Sequence, residues 1–88
     1  MLVREVTVMN ANGIHARPSA EIVKVAGRYA SAITMSRDGL EVNAKSIMGV
    51  MMLAAECGSV VKVSADGNDE AEAIEALAAL IASKFGEA

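Results

Sequence analysis

Apolar residues recur along this chain with two different periods. Leu2 to Met9 is rich in β-branched residues, and Glu5-Val6-Thr7-Val8 alternates wet and dry positions, which predicts a strand with Val6 and Val8 turned inward. Asn10-Ala11-Asn12-Gly13 breaks it. From Ala16 to about Arg28 the period lengthens. Ala16, Ala20, Val23 and Ala26 or Gly27 recur at helical spacing, with Glu21, Lys24 and Arg28 on the wet side. Alternation returns in Ile33-Thr34-Met35-Ser36 and again in Leu40-Glu41-Val42-Asn43, and Asp38-Gly39 between them supplies a tight turn. Ile47 to Ala55 reads as a second helix with Ser46 as N-cap and Gly58 as its end. Val61 and Val63 form a last strand, closed by Asp66-Gly67. A final helix starts near Asn68 with a stripe of Ile74, Leu77, Ala78, Ile81 and Phe85, acids in its first turns and Lys84 in its last.

The order βαββαβα, without linker or repeat, describes a single domain over residues 1–88. One four-stranded sheet with helices on its apolar face gives an α+β class. With 88 residues and 53% apolar side chains the chain can build one core, but it cannot also enclose a large substrate pocket. Aromatics are only 2%, so aliphatic and Met side chains fill the interior. The net charge of −3 and the lack of stacking aromatics argue against nucleic acid. No apolar run is long enough for membrane insertion, and the start Met1-Leu2-Val3-Arg4-Glu5 has no leader pattern. Cys57 is the single cysteine, which fits a reducing cytoplasm. Arg17, Lys24, Arg28, Arg37 and Lys45 all fall within the first 45 residues, which implies an anion or an acidic partner on that part of the molecule.

Chemistry concentrates in Gly13-Ile14-His15-Ala16-Arg17-Pro18. Gly13 ends the loop, and Pro18 is tolerated only in a first helical turn, so His15 falls at a helix start. There it lies beside N–H groups without helical partners, at the positive end of the helix dipole. Imidazole, with an ordinary pKa near ~6.5, keeps a free lone pair at neutral pH and can accept a phosphoryl group without a separate base. The N–H groups of Ala16 and Arg17 and the planar fork of Arg17 suit the resulting phosphate. Taken alone, a histidine at a helix start is a solvated cap; Gly13, Arg17 and Pro18 around it make the combination specific. No second histidine or paired cysteine completes a metal site.

This segment resembles the active-site signature of the HPr family, the histidine-containing phosphocarriers of the bacterial phosphoenolpyruvate-dependent phosphotransferase system, whose usual form is Gly-Leu-His-Ala-Arg-Pro-Ala. Ile14 and Ser19 depart from it by small changes in volume. Asn43 to Met51 is similar to the regulatory serine region of the same family, so the likeness covers essentially the whole chain. It implies an open-faced β-sandwich, a four-stranded antiparallel sheet with three helices on one face. It implies phosphorylation of His15 at Nδ1 by enzyme I, transfer to a histidine of IIA-type proteins, a cytoplasmic monomer and no cofactor. Ser46, a favoured N-cap on its own, becomes the target of an HPr kinase/phosphorylase where one exists. Ile47, Met48 and Met51, with Met52, exceed what one face of a short helix can bury, and flexible thioethers suit a docking surface near His15, to which Lys24 and Lys45 add charge.

Lys45 to Ala55 and Ser83 to Glu87 look more like the nitrogen-related, regulatory branch (NPr) than the sugar-dedicated form. Two rival readings are a ferredoxin-like module binding RNA or metal and a regulatory subunit that binds partners through the Met-rich helix without turning over phosphate. The first lacks stacking aromatics and paired cysteines.

Overall fold

Alternation within each strand separates a dry face from a wet one. The computed structural model describes residues 1–87. In it β1 (Leu2–Thr7), β2 (Ala32–Arg37), β3 (Leu40–Asn43) and β4 (Val60–Asp66) form one antiparallel sheet in the order β1-β4-β2-β3. Cross-strand pairing aligns Val63, Met35 and Val42 in one row, Ala65 and Ile33 in the next, and Val61 beside Val6. Apart from the half-buried Val6, these side chains are buried. The opposite face is mainly polar: Ser64, Thr34 and Asn43 make one row with the exposed Val3, and Glu5, Lys62, Ser36 and Glu41 make the next. Asp38 (φ 51°) and Gly39 (φ 85°) both adopt the left-handed conformation of a type I′ turn, the geometry that matches strand twist.

Three helices cover the dry face: α1 (Ala16–Ala26), α2 (Ile47–Met52) and α3 (Glu70–Ala82). Helix α3 lies across β1 and β4, α1 packs against α2 and α3, and α2 rests on β3. The architecture is the α+β class expected from the element order, in the open-faced sandwich form that the resemblance implies.

Details within the helices differ from the periodicity. In α1 the buried stripe is Pro18, Ser19, Ile22 and Ala26, whereas Ala16 and Ala20 are exposed. Alanine marks no face strongly, and Ser19 can be buried because its N–H and hydroxyl both donate to the His15 carbonyl, at 2.9 and 2.8 Å. The helix stops at Ala26; Arg28 and Tyr29 instead make turn bonds to Val25 and Ala26. Helix α2 ends at Met52, well before Gly58. Ala54 has φ 49°, and the Arg37 guanidinium donates to the carbonyls of Leu53 and Ala54 at 3.0 and 3.1 Å, capping the helix from β2. Helix α3 starts two residues later than Asn68 and buries Ala73, Ile74, Leu77 and Ile81, leaving Ala78 half-buried. Lys84 and Phe85 lie beyond it, in a short 3-10 turn with φ 59° and 55°, so Phe85 reaches the core by a reversal of the chain.

Asp69 ties α3 to the segment before β2. Its carboxylate accepts from the Ala30 N–H at 2.8 Å, the Ser31 N–H at 2.9 Å and the Ser31 hydroxyl. The Ser31 hydroxyl above all, then the Ala30 N–H, outweigh desolvation and hold this carboxyl below the usual aspartate range. Because the folded pKa is depressed, the contribution to stability is complete above the unfolded aspartate value and is lost as pH falls through the folded one. Asp69→Asn is expected to lower the thermal midpoint at pH 7, and the gap from the unsubstituted protein is expected to close on acidification below pH ~4. Truncating Leu77, fully buried at the centre of α3, is expected to cost ~2–5 kcal/mol for Leu77→Ala, read from urea unfolding.

Candidate functional site

The turn after β1 determines where His15 stands. Gly13 (φ 67°) donates to the Asn10 carbonyl at 3.0 Å, and Ile14 donates to the Ala55 carbonyl at 2.8 Å, which seats the Ile14 side chain in the core. The chain then enters α1 with His15 as N-cap residue in an extended conformation, φ −91° and ψ −163°. The imidazole makes no capping bond and is 41% exposed. Pro18 is buried in the first turn and has no N–H, and the Ser19 N–H is taken by His15. The N–H groups of Ala16 and Arg17 therefore remain without partners among the described residues, at the positive end of an eleven-residue helix.

Arg17 stands beside His15 as the motif requires, but its donors are engaged. Nη1 donates to Glu21 Oε1 at 2.6 Å, and Nη2 donates to the Phe85 carbonyl and to Glu87 Oε2, both at 2.8 Å. Glu87 also takes the His15 ring: Nε2 lies 2.9 Å from Oε2 and 3.2 Å from Oε1. Among the described residues Nδ1 has no bonded partner. Asn10, fully buried, donates its amide to the Gly13 carbonyl at 2.7 Å and to Glu87 Oε1 at 3.0 Å. Partial burial pushes the Glu87 carboxyl up, but the bonds from Asn10, Arg17 and His15 prevail and hold it below the usual glutamate range.

Sequence reasoning placed His15, Ala16 and Arg17 together, and so does the fold. Asn10, Glu21, Phe85 and Glu87 were missed. Asn10 looked like a strand breaker, and Glu87 lies 72 residues from His15, where no local period connects them.

Ser46 is the N-cap of α2; its Oγ accepts from the Gly49 N–H at 3.1 Å. Of the Met-rich helix only Val50 is buried; Ile47 and Met51 are each 45% exposed, and Met48 reaches 76%. Lys24 is exposed in the last turn of α1. Lys45 is half-buried, and its Nζ donates to the Tyr29 carbonyl at 2.7 Å. Cys57 is exposed, its thiol 3.5 Å from the Met9 carbonyl. Among the described residues no three His, Cys, Asp or Glu side chains cluster as metal ligands, and no helix is long and apolar enough to cross a membrane.

Gly13 allows two backbones to meet. A Cβ there would fall 2.4 Å from the Ala55 oxygen and 2.9 Å from Glu56 Cα. Gly13→Ala is expected to destabilise the domain by more than the ~1–2 kcal/mol of a left-handed alanine, and to shift the His15 ring resonances, as thermal melting and NMR would record.

Comparison with known proteins adds a relationship over the whole chain. The sequence profile of a family described as PTS HPr component phosphorylation site matches residues 2–83. The phosphocarrier protein HPr of Cupriavidus necator is 56% identical over 87 residues, which span 99% of this chain and 98% of that protein. A crystal structure of HPr from Thermoanaerobacter tengcongensis aligns with a TM-score of 0.95 at 50% identity, covering 100% of this chain and 99% of the other. Crh of Bacillus subtilis, whose crystal structure is described as a dimer with a swapping domain, aligns with a TM-score of 0.77 at 44% identity, over 96% of this chain and 97% of that one.

Proposed function

The chain belongs to the HPr family of phosphocarrier proteins of the phosphotransferase system, and on that premise we propose that His15 Nδ1 is the atom that carries the phosphoryl group. The family carries phosphate between proteins and does not itself turn over a small substrate, which displaces the ferredoxin-like and purely regulatory readings. One observation supports the atom above others. Nε2 is held by Glu87, while Nδ1 is unengaged on an exposed ring one residue before two free N–H groups.

The proposed donor is phosphorylated enzyme I, charged from phosphoenolpyruvate. Nδ1 attacks phosphorus as the donor's N–P bond breaks, and the donor imidazole leaves with the electron pair. The same step in the forward direction passes the group to a histidine of a IIA-type protein. The Ala16 and Arg17 N–H groups and the Arg17 guanidinium receive the phosphoryl oxygens, so Arg17 exchanges carboxylate partners for phosphate. Ile47, Met48 and Met51 supply an adaptable apolar docking surface on α2, with Lys24 on the adjoining helix as its charged flank. The setting is the cytoplasm. Ser46 is the regulatory position, for an HPr kinase/phosphorylase where the cell has one: phosphate there suits the helix start but puts negative charge next to Ile47 and Met48.

Incubation with enzyme I and phosphoenolpyruvate, followed by intact mass, tests the carrier reading. One acid-labile phosphate is expected on the unsubstituted protein and none on a folded His15→Ala; labelling of the Ala variant would refute the site. Arg17→Ala is expected to slow single-turnover transfer by ~100-fold, with Arg17→Lys recovering part of it. Ser46→Asp is expected to keep the fold and weaken enzyme I association, more so at low salt. Ser46→Ala should transfer normally while losing ~0.5–2 kcal/mol of helix capping. An Asp variant that transfers as fast as the unsubstituted protein would remove Ser46 from regulation.

A further inference from the structure

A buried asparagine with an unused acceptor is an unfavourable thing to keep in a small domain. Asn10 is fully buried, and its Oδ1 has no hydrogen-bond partner among the described residues. A side chain without polar atoms would avoid that desolvation, so the compensation has to lie in what the amide group holds. It holds two things at once: the carbonyl of Gly13, which sets the turn into His15, and Glu87 Oε1, which comes from the far end of the fold.

Glu87 in turn gathers three side chains on one carboxylate. Oε1 accepts from Asn10 and lies 3.2 Å from His15 Nε2, and Oε2 accepts from Arg17 at 2.8 Å and lies 2.9 Å from the same Nε2. An ionised carboxylate can only accept, so the ring hydrogen must sit on Nε2 for this contact to be a bond. A neutral imidazole has one such hydrogen, and the other nitrogen then bears the lone pair.

We propose that Glu87, anchored by Asn10, is a positioning residue for the phosphoryl step: it fixes His15 as the Nε2–H tautomer and so presents the Nδ1 lone pair. This rests on the phosphocarrier reading of His15. As the N–P bond forms at Nδ1 and the donor's N–P bond breaks, the proton stays on Nε2 and the ring becomes cationic, facing the Glu87 carboxylate. Onward transfer returns the electron pair to Nδ1 and the ring to neutrality. A carboxylate that orients an imidazole and stabilises its cation plays the same part in hydrolase triads. Neither Asn10 nor Glu87 touches the phosphoryl group in this scheme.

The test is ¹⁵N NMR of the His15 ring in the unphosphorylated protein at alkaline pH, paired with single-turnover transfer from enzyme I. The unsubstituted protein is expected to show the Nε2–H form alone. Glu87→Ala is expected to show the Nδ1–H form as well and to transfer ~10- to 100-fold more slowly at unchanged affinity for enzyme I. Glu87→Gln keeps an acceptor oxygen and loses the charge, so it is expected to restore the tautomer but not the full rate. Asn10→Ala, checked by thermal melting, should add less than its own effect on top of Glu87→Ala; if it does not fold, the two Glu87 variants decide. An unchanged ring spectrum in Glu87→Ala overturns the proposal, as does a rate loss explained wholly by weaker binding of enzyme I. The ring spectrum is read without phosphate, so a failure of the unsubstituted protein to accept phosphate would defeat the carrier reading and leave the tautomer result standing.

Discussion

The contact between the Gly13-Ile14 backbone and Ala55 is the constraint on which the rest depends. A hydrogen bond of 2.8 Å and an approach that leaves no room for a Cβ bring the loop before α1 against the segment after α2. That contact seats Ile14 in the core, and the seating sets the rotation at which α1 begins, with His15 outward and Pro18, Ser19 and Ile22 inward. It also brings together the histidine end of α1 and the exposed side chains of α2. Short loops on a packed sheet hold both.

What could be read in the sequence follows from how local each signal is. The strands were legible because alternation and the Asp38-Gly39 turn are encoded within a few residues, and the order of elements then left few topologies. His15, Arg17 and Pro18 were legible because the nucleophile and its anion-binding helix end occupy one short segment. The face of α1 was misjudged because alanines fit either side, and Ser19, polar on paper, is satisfied by the His15 carbonyl. The end of α2 was misjudged because it depends on a distant partner, Arg37, and that of α3 because the backbone reverses at Lys84 and Phe85. Asn10 and Glu87 were invisible because their partners are chosen by closure of the tertiary structure.

The site is economical in a way that suits a carrier. Its groups lie on an exposed helix end where another protein can reach them. Arg17 is held by Glu21, Phe85 and Glu87, so its guanidinium stands oriented beside His15 instead of free in solution. The ion pairs that hold it involve a half-exposed guanidinium and are correspondingly weak.

The uncovered face of the sheet is also informative. Its rows of Ser64 with Thr34 and of Lys62 with Ser36 lie across the strands from every helix, and so from both His15 and the methionines of α2. A fluorophore or surface tether attached at Lys62 would therefore leave both His15 and α2 open to solvent. For anyone building an immobilised relay from this domain, that face is the natural handle.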